Sequence, residues 1–438
     1  MLPCPAKHFC STLICLAIVG TGRAEQGPSP GETEFEQLLE GFGQINTIAG
    51  NGSDDDCNDW SASMEGGLAT SADLSRPHMA QADAAGNVYI ADKEGHAIRV
   101  VNPDGRIRTV AGNGVRGNGG EGIATDVSLR EPNGLFTFAD GTTYILEVDD
   151  NCAASPVPGG KIRRLGTDGM LSTVIDDPEL LAGRGLWVSA DESLIYYCSG
   201  TVVKRWTSDG GLETFSSGFA QLGNLDIDPT TGLVCVTDRF AHLVYRLAAD
   251  GSSKTIIAGT GNETGGGEGQ LATASALDQV RGIAFRPDGS FFVCTHKGEH
   301  AVWFVDTAGL IWKFIDGANN NHSGDGFPVC DRRQNMISEP RAVTIAPNGD
   351  LLITENDDGY IRRITNLEIE PLITNVAYDP GSLTLTWNSQ REASYRVEES
   401  LDLSGWTPVL DVETSNGPST TAMVGTSESR GFVRVVEY

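Results

Sequence analysis

Three arginines stand before short apolar runs in the same way. "GRGLWV" (183–188), "VRGIAF" (280–285) and "PRAVTI" (340–345) each place an Arg, then a small residue, then hydrophobics. Three further runs put His78, Asn133 and Asn224 at the corresponding place, in "PHMAQA", "PNGLFT" and "GNLDID". A guanidinium holds a carboxylate, sulfate or phosphate through two parallel hydrogen bonds, which a point charge cannot match. If the fold gathers Arg184, Arg281 and Arg341 at one rim, a small anionic ligand is the expected occupant, with His78, Asn133 and Asn224 completing a polar mouth. If each Arg is instead consumed by a neighbouring acid, no positive site is left.

A second set of positions, at the end of the next apolar run in each case, reads Asp92, Glu147, Cys198, Asp238, Thr295 and Glu355. Glu147 and Asp238, with Asn133 and Asn224, are the hard oxygen types that suit a divalent cation. The competing reading is structural, with each acid capping the turn that follows it. His78 and His296 could serve a metal, yet neither lies in a ligand motif. A His at a strand end is ordinarily a hydrogen-bonded residue. The acid-rich stretches "GSDDDCNDW" (52–60) and "EVDDNC" (147–152) lack the order of an EF-hand and read as solvated loops. No Gly-x-Ser-x-Gly elbow, P-loop or HExxH is present, so no catalytic residue and no cofactor are assigned.

What would position these residues is a repeat. "INTIAGNG" (45–52), "IRTVAGNG" (107–114) and "KTIIAGTG" (254–261) are near-copies, each a β-branched run ending at a glycine turn. Around them a longer unit recurs over 74–112, 131–175, 183–215, 223–259, 280–317 and 339–366. Each unit holds four strands with hairpin turns, except the last, which stops after three. Six such units in series predict a six-bladed β-propeller, an all-β fold that protects its sheet edges by radial repetition. The unattached "INTIAG" near the N-terminus is expected to supply the missing outer strand of the last blade and so close the ring.

The pattern P-x-G-h-A-h-D, G-N-h-Y-h-A-D, I-R-h-h, D-G, h-T-h-A-G resembles NHL repeats across residues 44–366. The glycine-rich loops at 118–134 and 265–282 resemble the connections of that family. The resemblance implies a propeller of the wider gluconolactonase-like superfamily. Such propellers serve as binding platforms or sensors, and some as metal-dependent lactonases or lyases working in the central channel. After residue 370 the period ends. The strands "LTLTWNS", "SYRVEES" and "FVRVVEY" predict a small β-sandwich over 371–438 that resembles fibronectin-III-like modules of secreted proteins.

The 438 residues carry 31 Lys and Arg against 59 Asp and Glu, a net charge of −28. That surface repels nucleic acid and anionic membranes. The stretch 1–24 reads as a signal peptide with a short apolar core (11–20) and small residues before position 24, followed by a linker over 25–43. Its removal takes two basic residues and no acid, deepening the charge to about −30. Six cysteines then remain; Cys235 and Cys294 lie in apolar strands and read as buried thiols. Cys57 and Cys330 precede the first strands of the first and last units and are expected to form a disulfide across the ring seam. The whole predicts a secreted, periplasmic or cell-surface monomer without a membrane span. It would act as a recognition module for a small anionic ligand, a glycan or a protein partner, with a metal-dependent lactonase or lyase as the alternative.

Overall fold

In a computed structural model the protein is almost entirely β-stranded, and it divides into two compact units, residues 1–366 and 367–438. The structure describes residues 30–53, 60–148, 159–298, 300–317, 322–330, 336–367, 373–379, 382–388, 395–400, 406–412, 419–425 and 432–437. The expected signal peptide, Cys57 and most of both acid-rich stretches lie outside these. Among the described residues no helix is long and apolar enough to cross a membrane.

The first unit contains six antiparallel sheets, four of four strands and two of five. Their first strands are Pro77–Ala82, Glu131–Thr137, Leu186–Val188, Leu222–Asp228, Val280–Phe285 and Pro340–Ile345. Each touches the next in that order and the last touches the first, so they form a closed ring around an axis. This is a β-propeller. The sixth sheet takes its outer strand from the N-terminus: Phe42–Ala49 pairs antiparallel with Tyr360–Asn366, Ile45 opposite Ile364 and Thr47 opposite Arg362. The seam is thus closed as the repeat predicts. The core lies between neighbouring sheets, as where Met79, Ile90 and Ile98 of the first sheet pack with Leu135 and Ile145 of the second or with Leu352 of the sixth.

The recurring octet has a specific job. In all three copies the glycine after Ala adopts positive φ (Gly50 +94°, Gly112 +84°, Gly259 +90°). Its N–H donates across to Ala69, Ala124 and Ala272 respectively, at 2.9–3.0 Å, in the short turns that lead to the next sheet. A side chain there would strike the backbone of the hairpin beside it, Gly359, His96 or His242. The same connections carry Glu65, Glu121 and Glu268, whose carboxylates accept the N–H of Thr109, Thr173 and Lys313 in the outer strand ahead (2.8–3.2 Å). Each glycine-rich loop therefore ties two outer strands together.

One expectation is corrected. The stretch read as a linker contains a helix, Pro30–Glu40, and the last strand begins at Phe42. Phe35, Leu38 and Leu39 on one face of that helix are buried, and Phe35 stacks on Trp312 at 5.3 Å. The acidic Glu32, Glu34 and Glu36 obscure the helical period in the sequence, while the partners that define it lie nearly 300 positions away.

The second unit has two three-stranded sheets, one of Ile373–Asp379, Ser382–Asn388 and Ser419–Gly425, the other of Tyr395–Ser400, Thr407–Val412 and Phe432–Glu437. Leu385, Trp387 and Val424 of one pack with Tyr395, Val397 and Val435 of the other in a common core, a sandwich arrangement. Cys198, Cys235 and Cys294 are buried free thiols; burial pushes Cys235 and Cys294 up to about 12. Cys330 is disulfide-bonded.

Candidate functional site

The six positions singled out at the starts of the inner strands do share one end of the ring. A small residue follows four of them (Gly134, Gly185, Gly282 and Ala342), where neighbouring inner strands approach closely. A Cβ on Gly185 would lie 2.5 Å from Leu225 N of the next sheet, and one on Gly282 would lie 2.7 Å from Val343 N. The glycine in the recurring motif is thus a close-approach residue.

His78 and Asn133 are used to join sheets. Asn133 Nδ2 donates to Gly183 O at 2.6 Å, so its Oδ1 accepts from His78 Nδ1. Both side chains are buried, and so is Asn224, whose Nδ2 lies 3.5 Å from Arg341 O. Burial, then the charges of Lys93, Arg341, Arg184 and Arg281, hold His78 well below the ordinary imidazole range, so its ring is neutral. Arg184 and Arg281 belong to the third and fifth sheets, which do not adjoin the first. Their fields on His78 therefore place all of these groups around the axis.

The three arginines are brought together; Arg281 (1% exposed) and Arg184 (8%) are buried, and Arg341 is partly exposed. Arg281 is pushed well below its usual range by burial and by the charges of Arg341, Arg184 and Arg239. Arg341 is lowered to about 9 by burial and Arg184, with Asp357 and Glu339 opposing. Arg341 has acids at 3.6 Å in Glu339 and Asp357. Arg281 has none among the described residues, and its Nε and Nη1 are buried without a hydrogen-bond partner. His296, buried beside Glu339 at 3.4 Å, is driven far down by burial and by Arg281 and Arg341.

The sequence reading missed the second tier of this mouth. Arg239, Lys297 and Asp357 follow the second strand in their units, and Arg239 Nε donates to Gln279 Oε1 at 2.9 Å. Arg239 directly follows Asp238 as Lys93 follows Asp92, whereas Lys297 and Asp357 stand two places past Thr295 and Glu355, so the repeat carried only part of this signal. Glu339 was missed as the residue preceding an inner strand. It takes positive φ (20°), as do Arg76 (54°) and Gln279 (50°) at the same point of their sheets, which bends the chain into the mouth.

The carboxylates at the ends of the second strands are occupied elsewhere. Glu147 accepts Arg130 N–H at 2.8 Å and faces Arg163 Nη1 at 3.3 Å. Asp238 accepts the N–H groups of Ala220 (2.8 Å) and Gln221 (2.9 Å). Asp92 and Glu355 do the same with Ser75 and Ser338. They cap the backbone entering the inner strand, and three of them pair with a third-strand arginine: Arg99, Arg163 or Arg362. Burial pushes Glu147 up while Arg163 pulls it back. Glu147 and Asp238 therefore do not fit a metal: their oxygens serve backbone donors and a guanidinium, and their expected partner Asn133 holds His78 and Gly183. The described residues gather three ligand-type side chains at one other place, His242, Glu263 and Asp278, where His242 Nδ1 already accepts Gln279 N–H at 3.0 Å.

No family model matches the chain. Teneurin-m of Drosophila melanogaster is 23% identical over 331 residues, which are 69% of this chain and 10% of that protein; the chain spans about a tenth of the length of the curated relative it matches. Among solved structures, a structural genomics protein of unknown function from Bacteroides thetaiotaomicron matches with TM-score 0.57 and 14% identity, over 74% of this chain and 75% of that one. An auxiliary nutrient binding protein from the same organism matches at TM-score 0.54 and 12% identity, over 74% and 76%. Another, from Bacteroides ovatus, matches at 0.53 and 12% over the same shares. These likenesses show the fold, the β-propeller built above.

Proposed function

We propose that the chain is an exported binding module whose propeller takes a small anionic ligand at the axial arginine cluster. The observation that carries this reading is Arg281, buried against other guanidiniums with two donor nitrogens unused. Burying a charge without a partner costs several kcal/mol, and a like charge beside it adds to that cost. Such a group persists where something else supplies the counter-charge. A protein at −28 that concentrates arginines on its axis makes a local positive focus against its own field. The oxyanion of an acidic sugar or a peptide carboxylate answers both the charge and the paired donors. Sharing a fold with proteins named for nutrient binding is in keeping with a binding role.

A thermal-shift panel of uronic acids, sulfated sugars, phosphate and peptide carboxylates tests the reading. Saturable stabilisation by at least one anion is expected. It should be weakened by about 1–3 kcal/mol in Arg281→Met, the scale of a lost charged hydrogen bond. A panel in which no anion raises Tm above its neutral analogue defeats the proposal.

A further inference from the structure

The third-strand arginines provide an internal standard for a second site, away from the axis. In the second sheet Arg163 donates through Nη1 to Gly119 O at 3.3 Å and through Nη2 to Gly120 O. In the sixth, Arg362 Nη2 donates to Ser323 O at 3.0 Å and Nη1 to Met336 O at 3.2 Å. Backbone carbonyls of the loop before the sheet close the guanidinium in both, and in the sixth Asp325 Oδ1 also accepts from Arg362 Nη2 at 2.7 Å. In the first sheet the corresponding loop brings Trp60 against Arg99 instead, its ring centroid 3.7 Å from the guanidinium carbon.

Arg99 is 1% exposed. Its Nε reaches Asp92 at 2.9 Å and its Nη1 reaches Thr109. Its Nη2, the atom that takes a peptide carbonyl in both equivalent sheets, is buried without a partner. Beside it is a cavity of about 560 Å³ lined by Trp60, Glu65, Arg99, Thr109, Asn113 and Thr125. That is within the roughly 300–1,000 Å³ of ligand sites.

Two of the other polar walls, Glu65 and Asn113, are already satisfied. Glu65 accepts from Trp60 Nε1 (2.9 Å) and Thr109 N–H (3.0 Å), and Asn113 is engaged with Asp126 O (3.2 Å) and Val115 N–H (3.1 Å). With Asp92 and Glu65 both near Arg99, the walls carry no positive excess, so an anion gains nothing here. What Arg99 Nη2 lacks among the described residues is one acceptor, which the second sheet supplies to Arg163 Nη2 as the peptide carbonyl of Gly120.

We propose that this cavity docks an extended, uncharged peptide segment of small residues from a partner protein, with a backbone carbonyl on Arg99 Nη2 as Gly120 O sits on Arg163. The probe is acetyl-Asn-Gly-Gly-Gly-amide, patterned on the loop that closes the second sheet, titrated calorimetrically into the full chain. One-to-one saturable binding is expected, weakened about tenfold or more in Arg99→Lys, which keeps a cation for Asp92 but has no second fork nitrogen. Thr125→Trp fills the cavity from an exposed position without touching the Arg99–Asp92 pair, and should abolish binding. Arg281→Met should leave it unchanged, which separates this site from the axial one. No saturable binding, equal binding by Thr125→Trp, or binding of a neutral oligosaccharide but not the peptide would each overturn the proposal.

Discussion

Two rings of arginine run through this propeller, and the protein treats them oppositely. Arg99, Arg163 and Arg362, on the third strands, each face a buried carboxylate at 2.9–3.3 Å. Arg184, Arg281 and Arg341, at the openings of the inner strands, lie within one another's fields, and Arg281 has no acid beside it among the described residues while Arg341 has Glu339 and Asp357 at 3.6 Å. All but the partly exposed Arg341 are buried, so exposure does not separate the two sets. Partners do. Every arginine of the first ring has a carboxylate partner, although Arg99 Nη2 and the Nε of Arg163 and Arg362 also lack hydrogen-bond partners, whereas Arg281 has no acid beside it among the described residues. A buried cation with its acid beside it is architecture, and one left without its acid is the mark of a site.

The largest blow to the outer ring is to strip its cover. Removing residues 25–52 takes away the strand paired with Tyr360–Asn366 and the helix seated on Trp312. Two open sheet edges should then drive aggregation, so size-exclusion should show loss of the monomer peak; a monomeric, equally stable product would rule out strand closure as a structural requirement. Next in size, Arg362→Ala strips buried Glu355 of its guanidinium and leaves it only Ser338 and His322 as partners. Denaturant unfolding should show a loss of about 3–5 kcal/mol.

Much of this contrast was legible in the sequence, and the reasons differ by element. The six units and the seam were readable because hydrophobic alternation and glycine turns act locally and recur. That inner-strand residues share a rim followed from the repeat alone. Which arginines are paired did not, because pairing depends on contacts across sheets: Arg99, Arg163 and Arg362 follow Ile in "IR" steps whose partner acids lie one strand back. The helix Pro30–Glu40 was missed for the same reason, since its partners are distant. The Cys57–Cys330 pairing remains a proposal, with Cys330 disulfide-bonded and Cys57 outside the described residues. Non-reducing peptide mapping should recover the two peptides linked, and two free thiols would reject the bridge.

Two smaller effects sharpen the inner ring. Glu339 competes with any ligand for Arg341, and burial together with Asp357 holds its carboxyl above the usual range. As the pH falls from neutrality, Glu339 should protonate ahead of ordinary glutamates, leave Asp357 facing Arg341 without it and tighten anion binding. An affinity that falls over that window contradicts the assignment. Asp226, farther along an inner strand, is pushed up to about 6 by burial despite accepting N–H from Phe285 and Ile227. A carboxyl raised in the folded state costs nothing below its unfolded value near 4, and the cost grows as pH rises through 6. Asp226→Asn should therefore gain of order 1 kcal/mol at pH 7 and nothing at pH 3.5, measured by paired denaturant melts.

The central claim is that the axial arginines are held for a ligand and the third-strand arginines for the fold. It is tested most directly by the unfolding free energy of ligand-free Arg281→Met beside that of the unaltered protein. Replacing a buried, unpaired cation by an apolar side chain of similar length relieves repulsion from Arg341 and Arg184. The account predicts stability unchanged or raised, by up to about 2 kcal/mol. A loss of 3 kcal/mol or more, on the scale expected for Arg362→Ala, would contradict it and make the inner ring structural as well.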